Sequence, residues 1–387
     1  MRADWALLTV ALALPGCGGA GDEERDSAPV EPILALDTVR VIENERLWRV
    51  RTARPGPAGS TVVLNGGSVE VFVFDSAGRL AQVFGGEGQG PGEFGTSPRD
   101  IHVRGDSIYV IDHSNFTRRL SLFVDGALAR DWSLGHIPGI FVRVAVRDDG
   151  TPIVAGERDA MPPGIPAAPI FIRDSIAMMV LPEPAGAPAE ILLTLPGVER
   201  MVRPVAESYG VSLPSFRTDL SYAMTSTGVV GVDHRTGGVV RWNWTGGSVI
   251  VRPPPAERRL VSAAELAQRE EAVEAQAQRM QFSDRFRASA RASVDRWEGS
   301  IPRPVFEDLI SDGTLTAVQR YEFGLTHPTD WLVLDAAGDS VGGWQLPAHI
   351  RLLTLEGDCV LALARDSLDV ESIIVFGIVE RAPATGR

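Results

Sequence analysis

The chain has 387 residues, 44% of them hydrophobic, and a formal charge of −13 from 37 basic and 50 acidic side chains. The apolar share supports a sizeable core, and the acidic balance argues against nonspecific nucleic-acid binding, which needs clustered cations to neutralise phosphates. Every basic residue is arginine, which excludes Schiff-base chemistry, a P-loop lysine and a Ser–Lys dyad.

At the N-terminus, Trp5–Leu14 is an apolar run leading to Leu14-Pro15-Gly16-Cys17. It is too short to span a bilayer, which takes about 20 residues. A short apolar run closed by small residues reads as a secretory signal over 1–16. The cysteine after Leu-x-Gly resembles a bacterial lipobox, which implies cleavage before Cys17 and a lipid on its sulfur. Gly18 in place of Asp points to the outer membrane. Residues 17–32 carry too little apolar surface to fold and form a flexible tether. With Cys17 lipidated, Cys359 has no intramolecular partner and is expected as a small buried hydrophobe.

Residues 33–380 read as short strands. Thr38–Ile42 (TVRVI) is a candidate for closing the fold by pairing with its last strands. Val69–Val83 is strand, Ser-Ala-Gly turn, strand. Phe84–Phe123 holds the clearest unit. Its glycine-rich turn ends in Pro91-Gly92-Glu93-Phe94. Ile101 and Val103 alternate with His102 and Arg104, the period of a half-buried strand. Gly105-Asp106 is a turn, and Ile108, Val110 and Ile111 supply a second strand. Asp112 ends that strand, placed to accept N–H groups of the next loop. Leu120, Leu122 and Phe123 begin a third. The glycines of 85–92 do not make a phosphate loop, because Pro91 interrupts the spacing and no helix follows.

The same plan recurs in Val229–Val251, Leu332–Leu346, Leu352–Leu363 and Ser372–Val379, while Met161–Pro188 reads as long Pro/Ala-rich loops flanking a strand at Ile176–Leu181. Recurring strand–Asp–turn–strand units predict an all-β propeller. One helical insertion interrupts it, at about 261–298. Ser262-Ala-Ala-Glu265 is a capping box, Val261 and Leu266 form a hydrophobic staple, and Leu266, Val273, Ala277 and Met280 make one apolar stripe. A surface insertion packed on a blade edge is expected, with a lid or docking element as the alternative.

Three segments, Gly88–Phe94, Ile108–Asp112 and Arg119–Phe123, together resemble an NHL repeat. More widely, the chain resembles six-bladed propeller lipoproteins of bacteria. The resemblance implies an NHL-like propeller of six blades over 33–380, with a tail at 381–387.

Catalytic signatures are absent: there is no His-Glu-x-x-His, Gly-x-Ser-x-Gly, Cys-x-x-Cys or EF-hand loop. Two Asp-His pairs, Asp112-His113 and Asp233-His234, follow comparable strands and are the weak catalytic candidates. They support an alternative function, a metal-assisted lyase or hydrolase at the central channel. No cofactor and no metal ligands are predicted, with a structural or catalytic metal as the alternative. Trp242 and Trp244 flank Asn243 on one face of a strand, as a binding platform or as packing. The lead expectation is a monomeric, noncatalytic scaffold at the cell envelope. Its partner would be an envelope protein, peptide or glycan, its membrane attachment the lipid anchor, and nucleic acid plays no part. A purely structural role is the third possibility.

Overall fold

The computed structural model describes residues 33–114, 117–137, 139–158, 164, 166, 170–181, 189–205, 208–212, 219–252, 260–279, 303–321 and 328–381. The signal, Cys17, the tether and residues 382–387 of the tail lie outside this set.

Strand β1 (Ile33–Glu43) precedes a first sheet of β2 (Val50–Pro55), β3 (Thr61–Asn65), β4 (Glu70–Phe74) and β5 (Leu80–Gly85). A second holds β6 (Pro98–Arg104), β7 (Ser107–His113), β8 (Arg118–Val124) and β9 (Ala127–Ser133). A third has five strands: β10 (Ile140–Val146), β11 (Pro152–Arg158), β12 (Ile170–Val180), β13 (Glu190–Val205) and β14 (Ser208–Ser212). A fourth holds β15 (Leu220–Met224), β16 (Gly228–Asp233), β17 (Val239–Asn243) and β18 (Ser248–Arg252). Helix α1 (Ala263–Arg279) follows. The chain then forms β19 (Phe306–Ser311), β20 (Thr316–Arg320), β21 (Thr329–Leu334), β22 (Ser340–Leu346), β23 (Ile350–Glu356), β24 (Cys359–Arg365) and β25 (Glu371–Arg381).

The sheets stand face to face around a common axis. Each first strand contacts the first strands before and after it, from β2 through β6, β10, β15, β19 and β23 and back to β2. Apolar layers fill the spaces between consecutive units. Val62, Leu64 and Phe94 meet Ile101 and Val110 between the first and second sheets, for example. Trp132 and Ile111 meet Phe141 and Val154 in the next layer. Second strands are therefore buried on both faces, as β3 is at all five positions, and read as continuous apolar runs. Outer strands such as β9 and β18 are mostly exposed. This arrangement is all-β and propeller-like.

One expectation is corrected, that of six separate blades. Among the described residues the hydrogen-bonded sheets number five, because β19–β22 and β23–β25 join β1 in a single eight-stranded sheet. β1 causes the fusion. It runs antiparallel along β25 from Ile33↔Arg381 to Glu43↔Ser372 and also meets β22 in parallel at Leu34↔Gly342. Its pairing with the last strand is the closure expected of Thr38–Ile42. Of the helical insertion expected at about 261–298, residues 261–279 are described and carry α1, 17 residues long; the remainder of the span lies outside the described residues. The N-terminus of α1 is the capping box that the sequence spells. Ser262 Oγ accepts the Glu265 N–H at 3.2 Å, and Glu265 Oε2 accepts the Ser262 N–H at 2.8 Å. No helix among the described residues is long and apolar enough to cross a membrane.

Candidate functional site: the central cavity

One feature recurs on the inner strands. A bulge interrupts the first-to-second strand register between Val50 and Thr52, Pro98 and Asp100, Phe141 and Arg143, Phe306 and Asp308, and Leu352 and Thr354. A bulge adds a residue to one strand and re-aims the side chains beyond it. Thr52, Asp100, Arg143, Asp308 and Thr354 all line one cavity on the axis, joined by Tyr222 from β15. The cavity encloses about 70 Å³, room for a few waters or a compact ion.

Its charge opposes that of the whole chain. Four arginines (Arg51, Arg54, Arg143 and Arg351) face two aspartates (Asp100 and Asp308). Arg54 is held in place: its Nη1 donates to Thr354 Oγ1 at 2.7 Å and its Nε to the Ile101 carbonyl at 3.1 Å. Its Nη2 stands 3.6 Å from Asp100 Oδ1. Asp100 Oδ2 accepts the Val144 N–H at 3.1 Å, tying β6 to β10. Arg143 and Arg351, in contrast, have no hydrogen bond or ion pair among the described residues. Both are exposed to the lumen although protein surrounds them. Tyr222 Oη is buried without a hydrogen-bond partner.

Electrostatics follow from this enclosure. Burial opposes the Arg143 charge, but Asp100, Tyr222, Asp308 and Glu157 outweigh it and hold the guanidinium above its ordinary value. Burial pushes Asp308 up, against the Leu309 N–H and the pull of Arg143 and Arg351. Burial pulls Arg351 down, though a guanidinium stays charged at any physiological pH. Burial also raises the Tyr222 phenol, which therefore remains a donor. His102, one pleat along from Asp100, is pulled down to about 3 by burial and by Arg54 and Arg104, and is neutral.

The Asp-His candidates occupy other positions. Each pair lies at the end of a second strand, β7 or β16, so an inner strand stands between it and the axis. Asp112 is buried and accepts the Gly95 N–H at 2.7 Å. His113 Nδ1 accepts the Phe141 N–H at 3.2 Å, linking the second sheet to the third. Desolvation pulls its pKa down and keeps the ring neutral. Asp233 Oδ1 accepts the N–H groups of Arg235 and Thr236 at 2.8 and 3.0 Å. Asp75 and Asp335 clasp their turns in the same way. His234 Nε2 lies 2.9 Å from Ser221 Oγ. The structure does not bring the two pairs into the cavity lining. No group of three His, Cys, Asp or Glu among the described residues is arranged to hold a metal ion.

Trp244 is buried, and its Nε1 donates to the Thr225 carbonyl at 3.2 Å. Trp242 is half-buried, and a Cβ at Gly231 would lie 2.8 Å from its ring. Both tryptophans belong to the layer between the third and fourth sheets. Cys359 is half-buried, and burial with Asp358 and Glu356 pushes its thiol up to about 11.

Sequence reasoning missed Arg143, Tyr222, Asp308 and Arg351. The available signal was a lone polar side chain in an otherwise apolar strand, as in Phe141-Val-Arg-Val-Ala-Val146.

No protein-family model matches the chain, and no curated protein matches it. Solved structures do. One is a protein from Bacteroides fragilis whose description proposes export, with 11% identity, a TM-score of 0.50, and coverage of 90% of this chain and 96% of that one. A member of the DUF4221 family from Bacteroides vulgatus is similar at 9% identity and a TM-score of 0.52, covering 90% and 99%. At these identities the likeness is one of fold.

Proposed function

We propose that this chain is an exported lipoprotein, anchored through Cys17, whose propeller is a noncatalytic binding scaffold at the cell envelope with its ligand site in the central cavity. The ring of six inner strands supports counting six blade units, two of them fused through β1; their NHL type rests on the sequence resemblance alone. The observation that carries the binding role is the cavity itself. Arg143, Arg351 and the Tyr222 hydroxyl converge there without partners among the described residues, a costly arrangement for an ordinary core. Export draws support from the signal-like residues 1–16 and from the description of the Bacteroides fragilis neighbour. An envelope protein, peptide or glycan would present the group that enters. The lyase or hydrolase alternative gains little from the positions of Asp112, His113, Asp233 and His234: none lines the cavity, and each makes a backbone or side-chain contact, although Asp112 Oδ1 is buried without a hydrogen-bond partner.

The test loads full-length protein in detergent with envelope peptides and glycans, then recovers bound material after denaturation for mass spectrometry. Unchanged ligand retained by the wild type and lost in Ala223→Trp, a bulky substitution at a position lining the cavity, with the thermal transition retained, is expected. A converted product, or retention indifferent to that substitution, overturns the reading. Separately, Cys17→Ala should release the protein from membranes; continued membrane pelleting would remove the anchor.

A further inference from the structure

We infer that the central cavity is an oxyanion site, in which Arg143 and Arg351 bind a carboxylate or phosphate group of the ligand and the Tyr222 hydroxyl donates a third hydrogen bond. This inference rests on the cavity being the binding site and adds the chemistry of what it takes.

Three independent observations converge on it. The first is sign. The chain is strongly acidic overall, yet arginines outnumber aspartates two to one in the lining. A low-dielectric pocket focuses such a local excess on whatever enters.

The second is satisfaction. Arg54 and Asp100 form an ion pair at 3.6 Å, and each also bonds the surrounding backbone. Arg143 and Arg351 have no hydrogen bond or ion pair among the described residues, and the charge of Arg143 opposes that of Arg351. Two facing guanidiniums with open N–H groups match the paired oxygens of a carboxylate or phosphate.

The third is the kind of group left over. Tyr222 Oη is buried and unbonded, and as a protonated phenol it is a donor. A cation would find two carboxylates here, but Asp100 is tied to Val144 and Arg54, and Asp308 accepts the Leu309 N–H at 2.8 Å. Open donors outnumber open acceptors among the described residues: Asp100 Oδ1 has no hydrogen bond but lies 3.6 Å from Arg54 Nη2, against the guanidiniums of Arg143 and Arg351 and the Tyr222 hydroxyl. About 70 Å³ admits one compact oxyanion with little water.

Calorimetric titration of the full-length protein in detergent with inorganic phosphate, succinate and a neutral sugar tests this. Saturable binding of an anion is expected, weakening as salt rises. Arg143→Gln and Arg351→Gln should each lower affinity by about tenfold or more, the scale of a charge-assisted hydrogen bond. Tyr222→Phe removes one oxygen atom and should weaken binding by several-fold with the thermal transition intact. That variant keeps the test valid if an arginine variant fails to fold. Phosphate alone binding assigns a phosphate ligand, and succinate alone a carboxylate. If neither anion saturates the wild type, or affinity is unchanged in both Tyr222→Phe and the folded arginine variants, the inference is overturned. A neutral ligand lost in Ala223→Trp but indifferent to Arg143→Gln would overturn it too, while leaving the cavity as the binding site. Loss of all ligands from the cavity would instead remove the function it rests on.

Discussion

The layers between sheets and the ring of inner strands are built on opposite principles. Between the sheets, side chains such as Phe72, Phe94 and Phe141 are completely buried among other apolar groups. Along the axis, bulged strands present arginine, aspartate and tyrosine to a small polar cavity, and several of those groups lack partners among the described residues. The first region gains its stability from area removed from water. The second has polar groups whose desolvation is not repaid by internal contacts. Apolar packing and unpartnered polar groups are thus separated by radius, and substitutions should reveal it.

The largest effect is expected in the dry layers. Phe72→Ala should lower unfolding stability by about 3–5 kcal/mol in a denaturant titration, the usual range for a fully buried Phe. A loss below about 1 kcal/mol would mean that the layer relaxes around the gap. Next is Gly338, at the β21–β22 turn. It has φ +91°, and a Cβ there would lie 1.6 Å from the Val251 carbonyl oxygen. Gly338→Ala should cost about 1–3 kcal/mol, read by the same titration.

The ring should respond to pH more than to size. Burial, with Arg54 and Arg104, pulls the His102 pKa down to about 3 in the folded chain, against about 6.5 when unfolded. Its folded pKa is depressed, so its contribution is complete above about 6.5 and is lost as pH falls toward 3. His102→Asn should therefore flatten the fall in melting temperature through that window. An unchanged slope would show that other groups set the acid limb. The smallest effect is expected for Tyr222→Phe without ligand. Deleting a hydroxyl that has no partner should shift stability by no more than about 0.5 kcal/mol in either direction. A loss above 1 kcal/mol would place Tyr222 among the structural groups and erase the contrast.

The sequence made the outer architecture readable. Period-two alternation located strands, Gly-containing turns separated them, and Ser262 with Glu265 marked the start of α1. Thr38–Ile42 announced the closing strand. The cavity was not readable, for two physical reasons. Each bulge shifts the alternation by one residue, so the face assigned to Asp100 or Arg143 by simple parity is wrong beyond it. The lining also joins residues as distant as Arg54 and Thr354, which only ring closure brings together. The Asp-His pairs drew attention because adjacent titratable residues are easy to see in a sequence. Asp233 instead shares the turn-clasping geometry of Asp75 and Asp335.

The closing strand has one more consequence. Ile33 and Arg381 are ladder partners, so the two ends of the strand system lie side by side. Chain order is then arbitrary with respect to the ring. A circular permutant that links 381 to 33 and opens at the exposed Gly105-Asp106 turn would preserve every interface from a different starting point.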